Sequence, residues 1–428
     1  MKIKVRLLTS ILEYSLIVAI FILSLINNYL LIFSLLLGTF YIFKGRIGFL
    51  KLTTLITIRY LISPALDHST LPTVMVGYKF GVLFIFGSLI VIYFRKKILQ
   101  NKILTNFIFV TMTVWVLYII FGVSHLNSII LILGKSFAYF YTLIIIVAVL
   151  GITNEIKRFM IWFSFILSFV ILGSLIYIRH PIGYLLNGFS FQGILNHPNL
   201  FGVFMTLALT LIVVNLFKFK QYKLFYIFIL IIGITELFLS NSRTAVLALL
   251  LSLGVMFIIS RISLGKKLLL FTIALLGSFI ILVVPNINEY VLGFIQKGQS
   301  SSQVLYSRYI QIDYVKWGLE HAPFFGSGFG VPLNNSSLAL ASTTFEAGNL
   351  LFGLIIYTGI IGTLIYLFYL IYVGTLSFKK SGIAFTLFVA TLFVNIGEMI
   401  MFSPNSLGIM CYIFWGIFLK EGMTQYEQ

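Results

Sequence analysis

The stretch GILNHPNLFGVFMTLALTLIVVNLFKFKQYK, residues 193–223, decides the fold. From Asn199 to Phe217 no position carries a charge, and Lys218, Lys220 and Lys223 follow at once. About 20 apolar helical residues, rising about 1.5 Å each, cross the roughly 30 Å hydrocarbon layer of a bilayer. Lysines clustered at one end mark the cytoplasmic side. At the other end Pro198 disfavours helical backbone at His197 and suits a first helical turn, so Asn199 opens the span.

The same unit recurs along the chain. Apolar runs lie near 7–26, 29–43, 52–66, 74–94, 103–122, 128–150, 159–178, 199–217, 224–240, 243–260, 268–284, 349–373, 383–402 and 405–419, of which the second, third and last are short. None alternates in polarity as barrel strands do. The expected fold class is an all-α polytopic integral membrane protein of about 12–14 transmembrane helices, a single membrane domain over residues 1–428. Composition agrees, with 60% hydrophobic and only 9% charged residues. The net charge of +18 does not indicate nucleic acid as a partner, because Lys and Arg stand in short clusters between apolar runs. The partner it indicates is the lipid bilayer. Cys411, the single cysteine, lies in the last run, so no intramolecular disulfide forms. The N-terminal MKIKVR opens a long run without a small-x-small cleavage site and reads as a retained span.

Placing the N-terminus inside puts Lys2, Lys4, Arg6, Lys44, Arg46, Lys51, the Arg95–Lys97 cluster, Lys157, Arg158, Lys218, Lys379, Lys380 and Lys420 on one side. Both termini are then cytoplasmic in the cell membrane. The same assignment sends all five histidines, His68, His125, His180, His197 and His321, to external loops, which points to external chemistry. No internal repeat is visible at half length, which weighs against a secondary transporter.

Two external segments are long: 179–198, and a large loop at 285–348 between the eleventh and twelfth spans. Long loops are where function concentrates. In the first, His197-Pro198-Asn199 is either a plain turn and helix start or part of a site. Arg243, at the mouth of the tenth span, either takes an anionic partner, Glu236, seven residues earlier on about the same face, or a lipid phosphate, or snorkels alone to the headgroup region. In the large loop, 303–320 runs without a breaker until Gly318 and reads as a helix wedged against the membrane domain. Gly326, Gly328 and Gly330 follow, a spacing that allows close backbone approach to a ligand, although neither a P-loop nor a dinucleotide fingerprint is present. Glu346 and Asn349 stand where the chain re-enters the membrane. Glu13, Lys135 and Glu398 lie within apolar runs, each a structural ion pair or a site residue, and Asn395 shares a helical face with Glu398. No triad or metal-ligand spacing occurs, so no metal and no cofactor is expected.

Four motifs in this order resemble the bacterial O-antigen ligase and polymerase superfamily: His197-Pro198-Asn199; Ser242-Arg243-Thr244-Ala245; Arg308 with Trp317 and Gly326-Ser327-Gly328; and Asn349 followed by Gly359-Ile360-Ile361-Gly362. They span Gly193 to Gly362, about half the chain. The resemblance implies transfer of a glycan from an undecaprenyl diphosphate carrier to an acceptor hydroxyl on the outer face of the cytoplasmic membrane. It implies that Arg243 and Arg308, with Arg179, clamp the lipid diphosphate, since a guanidinium fork matches phosphate oxygens. His197, Asn199 and Asn349 would support them. The partners implied are an undecaprenyl-diphosphate-linked donor and acceptor, together with a chain-length regulator of the export system.

The chain departs from the ligase pattern at Gly348, where ligases place a histidine before the asparagine. Glu346 becomes the candidate general base and His321 the runner-up. The departure favours a polymerase of capsular, exo- or O-antigen repeat units over a ligase. A flippase of the same lipid-linked glycan stays open and requires Arg59, Lys79 and Lys135 to line a central polar cavity; a structural scaffold requires tolerant loop charges.

Overall fold

The computed structural model describes residues 2–124, 129–260, 263–265, 267–269, 272, 276, 283–296, 306–330, 348–404 and 406–423. They form helices α1 (Lys2–Ile26), α2 (Asn28–Thr39), α3 (Gly45–Tyr60), α4 (Pro72–Gly81), α5 (Ser88–Tyr93), α6 (Arg95–Gln100), α7 (Lys102–Ser124), α8 (Ile129–Gly151) and α9 (Ile156–Leu175). Beyond these come α10 (Pro198–Lys218), α11 (Lys223–Leu239), α12 (Arg243–Ile259), α13 (Pro285–Gln296), α14 (Tyr306–His321), α15 (Leu350–Ser381), α16 (Phe385–Gly397) and α17 (Gly408–Met423). Among the described residues eight helices are long and apolar enough to cross a membrane, three shorter apolar helices join them, and no strand occurs. The protein is an all-α, multi-pass membrane protein, and its large loop carries the short helices α13 and α14.

Helices that are apolar on every face belong in the middle of a bundle. Accordingly α8, α10 and α17 form the core, where Phe140, Leu143, Phe204, Leu207, Phe414 and Phe418 are wholly buried. Gly416 lets α17 close onto Leu150 of α8, where an added Cβ would meet a side-chain carbon at 2.4 Å. Small residues at such crossings let membrane helices pack by dispersion contact.

The run at 52–66 becomes α3 ending at Tyr60, because the next residues bond to the 179–198 segment instead. Ser63 N donates to the Ile194 carbonyl at 2.9 Å and Asn196 N to the Leu61 carbonyl at 3.0 Å. Arg59 is buried at that end of α3. Its two Nη atoms each donate to an Asp67 oxygen at 2.7 Å, and Nε and Nη2 reach the Ser24 hydroxyl and carbonyl. Burial pushes the Asp67 carboxyl up, but hydrogen bonds from Arg59 and Ser69 outweigh it and hold the group below its usual range. Lys79 is equally buried and donates to the Pro404 carbonyl at 2.9 Å. Glu13 pairs with Lys51 at 2.6 Å.

Helix α15 is broken at Gly359, whose φ of 64° is open to glycine and strained for other residues. The break frees backbone groups at membrane depth, and lipid cannot satisfy them. The large loop does so. Ser327 N and Gly328 N donate to the carbonyls of Ile356 and Tyr357 at 2.9 Å, while Ile360 N and Ile361 N donate to the carbonyls of Pro323 and Phe324. Phe329 anchors this insertion inside a nest of Tyr118, Tyr139, Phe140 and Phe402. Lys135 Nζ closes it with a 2.6 Å hydrogen bond to the Gly330 carbonyl. The close backbone approach expected of these glycines is made, at Gly326 and Gly328, to the broken helix, while Gly330 packs on Lys135 of α8.

Candidate functional site

At one end of the bundle the starts of α10, α12 and α15 meet the finish of α16. His197 has extended backbone and caps α10, its Nδ1 accepting the Asn199 backbone N–H at 3.1 Å, with Pro198 in the first turn. The turn-and-start reading of His197 is thus realised, but Asn199 does more. Its side-chain Nδ2 donates to Glu398 Oε1 at 2.9 Å, across 199 residues of chain.

Glu398 sits just past the C-terminus of α16, with extended backbone. Asn395 turns the chain there: its Oδ1 accepts from Ile400 N and Met401 N at 3.0 and 2.7 Å, and it is fully buried. The apolar run at 383–402 therefore stops being helical at Gly397, and Asn395 and Glu398 do not share a helical face. One asparagine builds the reversal; the carboxylate it releases joins the site.

Asn349 caps α15, accepting from Leu351 N and Phe352 N, and its Nδ2 donates to the Ile396 carbonyl at 2.7 Å. Gly348 before it has φ of 62°. Left-handed backbone costs an L-residue with a Cβ about 1–2 kcal/mol, so local geometry itself favours glycine where the ligase pattern has histidine.

Arg243 is the first residue of α12 and is half-buried. Its neighbours lock α12 in place: a Cβ on Gly202 of α10 would lie 2.3 Å from Ser242, and one on Gly397 would lie 2.6 Å from Thr244. Glu236 is not its ion-pair partner. Both Glu236 carboxylate oxygens are buried in the bundle without a hydrogen bond.

Helix α14 lies over this end. Tyr314 and Val315 pack with Ile356, Tyr357 and Met399, the residue after Glu398. Over 306–320 the structure shows the wedged placement expected for 303–320, and α14 carries Arg308 in its first turn. His321, at its last residue, is exposed and stacks on Trp317 at 4.1 Å, with Nδ1 2.9 Å from the Trp317 carbonyl oxygen. Arg179 is exposed beyond α9, and among the described residues no hydrogen bond or ion pair joins it to the cluster. Glu346 and His125 lie outside the described residues.

Thus the structure unites His197, Asn199, Arg243 and Asn349, and adds Glu398. Three helix N-termini bring partial positive charge to one place, which with a guanidinium favours an anionic group, phosphate above all. A carboxylate beside it suits proton abstraction from a hydroxyl. No protein-family model matches the chain, and no curated protein matches it.

Proposed function

We propose that the chain is a membrane glycosyltransferase that polymerises undecaprenyl-diphosphate-linked oligosaccharide repeat units on the outer face of the cytoplasmic membrane, with both termini inside. The observation that carries this reading is the Asn199–Glu398 hydrogen bond at the junction of α10, α12, α15 and α16, where Arg243 opens α12. In the reaction an acceptor sugar hydroxyl attacks the anomeric carbon of the donor. The bond from that carbon to the diphosphate oxygen breaks, and undecaprenyl diphosphate leaves. Arg243 and the helix N-termini stabilise the charge developing on the diphosphate, with Arg308 contributing from α14. Glu398, oriented by Asn199, takes the hydroxyl proton. Glu346 is the second candidate for that role and His321 the third; the stacking of His321 on Trp317 ties its ring to α14.

The flippase alternative wants cations along a polar cavity. Arg59, Lys79 and Lys135 instead bond to Asp67, the Pro404 carbonyl and the Gly330 carbonyl. That weighs against it. The loops at the site end are also poor in Lys and Arg, which supports an outward-facing site. The test is a polymer ladder from cells carrying Arg243→Ala at wild-type membrane level. Loss of long polymer with accumulation of single lipid-linked repeats is expected; a full ladder overturns the reading.

A further inference from the structure

A cleft of about 670 Å³ runs between α1, α3 and α9, within the ~300–1,000 Å³ of small-molecule sites. Its walls are hydrocarbon, with Phe21 and Leu25 from α1, Ile58 from α3, and Phe169 and Gly173 from α9. It is built, not merely left over. Tyr14 of α1 packs against Phe165 and Phe169 of α9, with ring centroids 5.6 and 6.0 Å apart, and joins these two helices. The buried Arg59 ties the other end of α1 to α3 through Ser24. A Cβ on Gly173 would meet only the Ile194 side chain, at 3.5 Å, so the glycine leaves the middle of the cleft open.

The open end is polar. His68 lines it and is exposed, Tyr177 lines it too, and the exposed Arg179 and His180 follow two and three residues on. This lip belongs to the same segment as the candidate site: Ile194 lines the cleft, and Asn196, bonded to the Leu61 carbonyl, precedes His197. An apolar slot open along the outer face of a membrane bundle, with basic residues just beyond its polar end, matches one lipid chain under a phosphate headgroup. A polyprenyl phosphate has one chain to seat between α1, α3 and α9, where a diacyl lipid has two.

We propose that this cleft seats the polyprenyl tail of one of the two lipid-linked substrates, with its phosphate at the lip formed by His68, Arg179 and His180. This assigns Arg179 to a second phosphate seat, apart from Arg243. The proposal rests on the polymerase reading for the choice of lipid, but its test does not depend on turnover. The full chain in phosphatidylglycerol-containing proteoliposomes is labelled with a polyprenyl phosphate bearing a photoreactive group on its tail, and the labelled peptides are mapped by mass spectrometry.

Label on α1 and α9 residues of the cleft is expected, falling about tenfold in Gly173→Leu, which fills the slot, and severalfold in Arg179→Gln, which leaves it open. Labelling that is spread over the outer helix faces, or that is equal in both variants, overturns the proposal. So does full competition by added phosphatidylglycerol, which would make the occupant a bulk diacyl lipid. If Arg243→Ala retains its polymer ladder while the cleft is still labelled, the polymerase reading falls and lipid binding stands. If the ladder is lost and the cleft is unlabelled, only this proposal falls.

Discussion

Replacing Glu398 with Gln preserves size and leaves a carbonyl oxygen for the Asn199 amide, so the 2.9 Å hydrogen bond survives as a neutral one. A neutral hydrogen bond contributes about 0.5–1.5 kcal/mol and a charge-assisted one roughly twice that, so the stability change is about 1 kcal/mol. Losing a positioned general base costs about 100- to 10,000-fold in rate, or roughly 3–5.5 kcal/mol of barrier. The two effects separate cleanly. Initial rates with lipid-linked repeats in proteoliposomes should fall at least about a hundredfold, while the thermal midpoint in detergent moves by a few degrees at most. Asp at position 398 keeps the charge at shorter reach and should restore part of the rate. If Gln at 398 retains more than about a tenth of the wild-type rate, the base is elsewhere and Glu346 is next.

Asp67→Asn removes the anion facing the buried Arg59, and breaking such a pair costs about 3–5 kcal/mol. The folded Asp67 titrates below its unfolded value, so the contribution is full above about pH 5 and is lost as pH falls below about 4. The thermal midpoints of wild type and Asp67→Asn should differ at pH 7 and converge in acid; a gap that does not change with pH contradicts the ion-pair account. Gly359→Ala forces a Cβ to 2.3 Å from the Phe324 backbone, in addition to about 1–3 kcal/mol for a positive-φ extended conformation that is essentially confined to glycine. The 323–330 insertion should loosen and become several times more sensitive to protease; unchanged cleavage would show that the docking is not held by this break.

Much of the fold was legible because spans and their charge clusters are local patterns: the apolar run at 199–217 and its trailing lysines gave α10 almost residue for residue. Helix ends set by distant partners were not. The 52–66 run stops at Tyr60 because residues 61–63 bond to 194–196, and the 383–402 run stops at Gly397 because Asn395 bonds forward to 400 and 401. Gly359 and Gly326-Ser327-Gly328 stood out as motifs, but their meaning is one backbone docked into another 30 residues away, which composition does not encode. Of the candidate site, His197, Asn199, Arg243 and Asn349 were readable as polar residues opening apolar helices. Glu398 was left between ion pair and site because its partner, Asn199, is far away in sequence. The available signal was a carboxylate inside an apolar run, six residues before Pro404.

In the proposed reaction one chain joins lipid-linked repeats at this junction. Purified protein in liposomes, given one synthetic undecaprenyl-diphosphate-linked repeat and no other enzyme, tests it directly. Dimers and longer oligomers are expected, with released undecaprenyl diphosphate in matching amount, and neither product from Arg243→Ala. Movement of intact repeat between leaflets without any new glycosidic bond would contradict it.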